Sequence, residues 1–162
     1  MIRKTLVVLA VALLFSSAAL TAQVRTTKPN DFTLELGGKC LLYSLGYQRT
    51  LSPNFGLEAA ISYFGAGSSG DSIGVFLLGG GARLYFIKKD ASPYISGGIV
   101  WASAGTSAGP FGSDSSSGVY FYASPGFEYR MAGGFLFRAG VYLLFVHSDF
   151  FVWPGITLGI AF

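Results

Sequence analysis

The residue types in this chain that could perform chemistry are few, and one group of them is contiguous. His147, Ser148 and Asp149 are the residue types of a hydrolase. A catalytic triad depends on geometry, however, and no inward acid follows this triplet in the next segment, so we expect an ordinary loop without catalysis. We also expect no metal site and no cofactor, because the single histidine and the single cysteine, Cys40, lie far apart.

The other candidates are charged residues inside alternating segments, on the face that also carries glycine, serine and tyrosine. Short turns would place Glu128 opposite Arg138 and Gln48 opposite Glu58, with Arg83 within reach of Glu58. A nearly neutral set of this kind predicts structural ion pairs. A gated ion or proton path is an alternative, and a catalytic carboxylate pair is the least favoured. The predicted set is Glu35, Gln48, Glu58, Arg83, Glu128 and Arg138, with Arg130 as a further candidate.

Alternation with a period of two recurs along the chain and is interrupted by glycine, serine, proline, asparagine and aspartate, which is typical of strands and turns. The second, fourth and sixth connections are short, so one end should carry only tight turns together with both termini. The other end should carry loops at 66–72, 105–117 and 148–151, and a first connection of only two residues containing Cys40 as an incidental thiol. The predicted strands are 31–38, 41–51, 55–65, 73–87, 92–104, 118–131, 135–147 and 152–162.

The two faces of these strands differ in a way that a water-soluble protein would not favour. In the seventh strand one face carries Phe135, Phe137 and Phe145, whereas the other carries Arg138 and Gly140. Large uncharged side chains fit contact with lipid, and small or charged ones fit the narrow lumen of a small barrel. The pattern therefore predicts an all-β fold, an eight-stranded antiparallel up-and-down transmembrane β-barrel.

Composition agrees with an exported membrane protein. Of 162 residues, 51% are hydrophobic and 12% charged, which excludes disorder, and one cysteine excludes a disulfide scaffold. Residues 1–22 read as a signal peptide cleaved between Ala19 and Ala22, which leaves 23–162 as the barrel domain. Of 11 Lys+Arg, Arg3 and Lys4 belong to that signal, so 9 remain against 8 Asp+Glu. That balance does not favour nucleic-acid binding.

Three segments carry a family resemblance: 45–51 (LGYQRTL), 92–98 (SPYISGG) and the ending 153–162 (WPGITLGIAF). With them, the chain resembles the small outer-membrane β-barrel proteins of the OmpX and OmpA-transmembrane type. The resemblance implies a Gram-negative outer membrane and contacts with its lipid and lipopolysaccharide. The predicted loop 105–117 is rich in serine, glycine and aspartate, which suits contact with solvent or with lipopolysaccharide sugars. The resemblance also implies periplasmic chaperones and the barrel assembly machinery as partners in biogenesis. That machinery would recognise Ile156, Leu158, Ile160 and Phe162.

The expected function is non-enzymatic, either structural or interaction-based, in a monomeric barrel whose lumen is plugged by ion pairs. The alternative is transport through a narrow pore or a gated lumen. A lipid-modifying enzyme is less favoured than either. Because the OmpA-type peptidoglycan-binding domain is missing from this sequence, a cell-wall tethering role is not implied.

Overall fold

The computed structural model describes residues 24–68, 71–108, 113–146 and 149–162. Eight antiparallel strands close into a barrel in chain order, and β8 pairs with β1. The predicted fold is therefore confirmed. The signal peptide predicted for 1–22, His147 and Ser148 lie outside the described residues. The strands are β1 (Asn30–Gly37), β2 (Tyr43–Ser52), β3 (Phe55–Ser68), β4 (Asp71–Tyr85), β5 (Ala91–Ala108), β6 (Ser113–Arg130), β7 (Phe135–Val146) and β8 (Asp149–Ala161).

The side chains of each strand point alternately outward and into the lumen, as the predicted alternation requires, because successive residues of a strand face opposite sides. Large apolar residues lie on the outside, where Phe32 and Ile160 are each 61% exposed and Phe121 is 60% exposed. The outer surface thus forms a belt suited to hydrocarbon, and closure leaves no unpaired edge within it. Five tyrosines on the inner face are buried: Tyr85, Tyr94, Tyr120, Tyr122 and Tyr142.

The strands on one side of the barrel are longer than the sequence predicts. β5 and β6 have 18 residues each, so the region predicted as a loop at 105–117 is mostly strand, with only 109–112 between the two strands. β3 and β4 likewise extend into 66–72, and β8 begins at Asp149. Beyond the apolar outer belt, the strands need no alternation of apolar and polar residues. Their serine- and glycine-rich segments pair with the neighbouring strands through the backbone alone.

The connection between β1 and β2 also differs from the prediction. The sequence predicts only two residues between these strands and a second strand that begins at residue 41. Instead a 3-10 turn, Gly38–Cys40, follows β1, and β2 begins at Tyr43. Gly37 and Gly38 have φ angles of 72° and 73°, which favour glycine. A Cβ on Gly37 would lie 2.3 Å from the Pro154 carbonyl oxygen. This backbone geometry folds the connection into the lumen, where Lys39 and Cys40 are buried.

A four-residue helix, α1 (Val24–Thr27), precedes β1 at the end of the barrel that carries the short turns. Val24 packs with Leu136 and Ala161 inside the mouth of the barrel. Within the described ranges, no helix combines the length and the hydropathy needed to cross a bilayer.

Candidate functional site

Inward positions of β1, β6 and β7 form a group of buried charges near the short turns. Arg138 lies 2.5 Å from Glu128, from Nε to Oε2, and 2.8 Å from Asp31, from Nη2 to Oδ2. Arg130 contacts the same two carboxylates, at 2.6 Å to Asp31 Oδ2 and 2.7 Å to Glu128 Oε1. We call this group, with Arg25, the short-turn cluster. Glu128 is opposite Arg138 in the β6–β7 pairing, as predicted.

Arg25 reaches this cluster from α1 and closes the mouth of the barrel. Its Nη2 lies 3.0 Å from Glu128 Oε1, and its guanidinium lies 3.8 Å from the centre of the Tyr85 ring. Its Nη1 donates to the carbonyl oxygens of Pro53 and Ile87, each at 3.3 Å, in two of the short turns. Lys28 Nζ donates to the third such turn, at the carbonyl oxygen of Gly133. The segment before β1 therefore joins all three turns.

A second group of buried charges, which we call the loop-side cluster, contains Glu35, Lys39, Glu58 and Arg83. Arg83 Nη2 lies 2.6 Å from Glu58 Oε2, and Lys39 Nζ lies 3.1 Å from Glu35 Oε2 and 3.4 Å from Glu58 Oε1. Tyr122 donates a hydrogen bond to Glu58 Oε1 at 2.6 Å. Each carboxylate of this cluster is thus paired with a cation, as burial of a charge requires.

Gln48 and Tyr85 extend the short-turn cluster along the lumen, and Arg83 joins it to the loop-side cluster. Gln48 is opposite Glu58 in the β2–β3 pairing, as predicted, but its Nε2 donates to Tyr85 Oη at 2.8 Å. Tyr85 Oη in turn donates to Glu128 Oε2 at 2.8 Å. Arg83 Nη1 also lies 4.0 Å from Glu128 Oε2. Polar contacts therefore continue along the lumen from one cluster to the other.

An apolar layer fills the lumen around the 3-10 turn. Tyr120 packs there and donates from Oη to the carbonyl oxygen of Lys39 at 2.5 Å. The layer comprises Cys40, Ala60, Leu77, Val100, Tyr120, Tyr122, Tyr142 and Leu144. In the described part of the chain, the lumen thus holds two charge clusters and an apolar layer, with α1 across the short-turn mouth.

All the charged residues predicted for the lumen are buried in these clusters, including Arg130, but the sequence reasoning missed Arg25, Asp31 and Lys39. Asp31 shares the parity of Glu35 in β1, so alternation carried the signal for it. Arg25 precedes the first strand and Lys39 lies in the connection after it. Outside the strands, no alternation of residue types predicts which way a side chain points.

The predicted assembly residues at the end of β8 lie on the outside of the barrel, with Ile156 and Phe162 50% and 54% exposed. The other two, Leu158 and Ile160, are 43% and 61% exposed. Phe162 stacks on Phe32 of β1, with ring centroids 6.1 Å apart. Recognition of these residues by the assembly machinery stays a prediction.

Burial raises the pKa of the Cys40 thiol to about 11. Because the thiolate is the reactive form, we expect alkylation by iodoacetamide at mildly alkaline pH to be at least roughly 100-fold slower in the folded barrel than in the chain unfolded in urea. Mass spectrometry of samples quenched over time measures both rates. Equal rates would show that Cys40 is accessible in the folded protein.

A closed antiparallel barrel with eight strands, an apolar outer belt and charges inside has the fold of the small outer-membrane barrels. The N-terminal β-barrel domain of Pseudomonas aeruginosa OprF is similar in structure, with a TM-score of 0.61 and 14% sequence identity over 82% of this chain and 95% of that domain. The attachment invasion locus protein Ail of Yersinia pestis is similar at a TM-score of 0.45 and 14% identity, over 82% of this chain and 91% of Ail. No protein-family model and no curated protein match the sequence.

Proposed function

We propose that this chain is a non-conducting outer-membrane barrel that binds other proteins through the sheet that extends beyond its loop end. The free edge of β6 is the observation that carries this proposal. A structural or interaction role is also what the sequence predicts, and the filled lumen supports it over transport.

The edge arises because neighbouring strands have different lengths. Ser113–Gly118 of β6 pair with Ser107–Ala102 of β5. On its other side, β6 pairs with β7, which ends at Val146; continuing the register places Val146 opposite Tyr120. Among the described residues, nothing pairs with the outer side of Ser113–Gly118. This edge is about 20 Å long at the rise of a strand.

An unpaired strand edge offers backbone N–H and C=O groups to an extended segment of another protein. Ser115, Ser116 and Ser117 are exposed, so no bulky side chain obstructs this edge. β3 offers a shorter edge of the same kind, because continuing its register places the first residue of β2, Tyr43, opposite Tyr63. Serine hydroxyls also suit the lipopolysaccharide sugars predicted as contacts of 105–117, and that contact stays a proposal.

Strand addition is tested with proline variants of the β6 edge. Phage-displayed short peptides are selected on the refolded protein, and binding is then measured for Ser116→Pro and Ser117→Pro. Backbone N–H groups alternate in direction, so one of these positions faces β5 and the other faces the free edge. We expect the proline at the free-edge position to reduce peptide affinity at least about tenfold, because it removes a ladder donor.

Alanine at the same two positions is the matched control, because it removes the hydroxyl and keeps the N–H group. Both alanine variants should bind the peptides as the unmodified protein does. Full binding by both proline variants, or loss of binding in the alanine variants, would contradict recognition through the strand backbone. Planar-bilayer recordings of the same preparation should show no channel steps, whereas regular steps would favour the transport alternative.

A further inference from the structure

Arg49 is unusual among the charged strand residues because it lies on the outside of the barrel. Its neighbours in β2, Gln48 and Thr50, are buried, whereas Arg49 is exposed on the same face as Leu45 and Tyr47. Apart from Asp149 at a loop-end strand terminus, it is the one exposed charge among the strand residues whose side chains the structure describes. A guanidinium in the outer belt requires an explanation, since charge there is costly away from the interface.

The height of Arg49 places it at the short-turn end of the belt. It pairs with Asn30, the first residue of β1, and with Leu57, close to the β2–β3 turn. The other cations outside the lumen, Lys28, Lys88 and Lys89, also belong to this end. Among the residues that the structure describes, the opposite end has no lysine or arginine outside the lumen, and its strands carry Asp71, Asp114 and Asp149 near their ends. The short-turn rim is therefore the basic one.

A shallow apolar groove lies beside Arg49 on the side toward the middle of the belt. It has a volume of about 360 Å³ and is lined by Phe32, Tyr47, Ala59 and Leu78, among others. Tyr47 is two residues from Arg49 on the same face, and the small side chain of Ala59 leaves the depression between its larger neighbours. A second groove, of about 350 Å³, lies on the other side of Phe32 and is lined by residues of β1, β2, β7 and β8.

We propose that Arg49 and these grooves form a site for an anionic glycerophospholipid of the leaflet next to the short turns. The guanidinium pairs with the headgroup phosphate. The acyl chains lie in the grooves on the two sides of Phe32. Charge complementarity selects this occupant, because an apolar partner surface would have to bury Arg49 without a counter-charge.

Native mass spectrometry of the refolded chain tests this site. The protein is released from detergent micelles that contain equal amounts of phosphatidylglycerol and phosphatidylcholine. We expect phosphatidylglycerol to be retained preferentially. Arg49→Gln should reduce its association roughly fivefold, as expected for one cation near a lipid surface, and Arg49→Lys should restore most of it.

Two further variants distinguish a built site from general attraction to a basic rim. Ala59→Leu fills the groove and keeps the charge, so it should also reduce phosphatidylglycerol retention. Lys89→Gln removes the same charge from the β4–β5 turn, which β3 and β4 separate from Arg49, and should leave retention within about twofold because Lys89 does not contact the headgroup at the Arg49 site. Equal losses in Arg49→Gln and Lys89→Gln, no loss in either Arg49→Gln or Ala59→Leu, or a dimer that Ala59→Leu disrupts would each overturn the proposal.

Discussion

Replacing Glu128 by glutamine should destabilise the barrel by about 3–5 kcal/mol, since removing one partner of a buried ion pair leaves an uncompensated charge. Glu128 is fully buried and accepts hydrogen bonds from Arg25, Arg130 and Arg138. Without its charge, Arg130 and Arg138 keep Asp31 as a partner, whereas Arg25 loses the carboxylate that it contacts in the short-turn cluster. Urea unfolding of the refolded protein, followed by heat-modifiable gel migration, gives the free energy of unfolding.

Asp149→Asn is the matched control, because it also neutralises one carboxylate, but at an exposed position. Its free energy of unfolding should stay within about 0.5 kcal/mol of that of the unmodified protein. If Glu128→Gln does not refold, the double variant Glu128→Gln/Arg25→Gln should recover folding by removing one of the surplus cations. A Glu128→Gln barrel as stable as the Asp149→Asn barrel would show that the cluster contributes little to stability.

Replacing Gly98 by alanine should cost about 1–3 kcal/mol, because added volume in a packed interior forces backbone shifts. A Cβ at this position would lie 2.1 Å from the carbonyl oxygen of Gly80 and 2.6 Å from Cα of Gly81. Both contacts are with backbone, so no side-chain rotation relieves them. Gly98 is opposite Gly81 in β4 and opposite Tyr122 in β6.

These two glycines explain how Tyr122 reaches its partner. Glu58, Gly81, Gly98 and Tyr122 occupy one row across four adjacent strands. Because neither glycine has a side chain, the Tyr122 ring extends across both to donate to Glu58. A Cβ on Gly81 would lie 2.2 Å from Tyr122 Oη. Close packing against tyrosine thus explains the glycine at position 81.

Gly105→Ala is the control in the same strand, because a Cβ at Gly105 meets nothing within 4 Å. Its unfolding midpoint in urea should equal or slightly exceed that of the unmodified protein, since alanine reduces the conformational freedom of the unfolded chain. Equal midpoints for Gly98→Ala and Gly105→Ala would mean that β4 and β5 separate easily at this row.

Alternation interrupted by turn residues determined the number of strands and which face is apolar, because a period of two is a local property of the chain. Short turns likewise fixed the register, so the pairing of Glu128 with Arg138 followed from the length of 132–134. The inward direction of Glu35, Glu58 and Arg83 needed no further information.

Only the tertiary structure decided what enters the lumen from outside the strands. Arg25 and Lys39 lie in non-repeating segments, and their positions depend on the space and the carboxylates that the closed barrel provides. The extension of β5 and β6 beyond the lipid belt was likewise decided by backbone pairing between strands. Side-chain patterns report on the environment of a strand, and residues 115–118 of β6 are exposed on both faces, which leaves no alternation to detect.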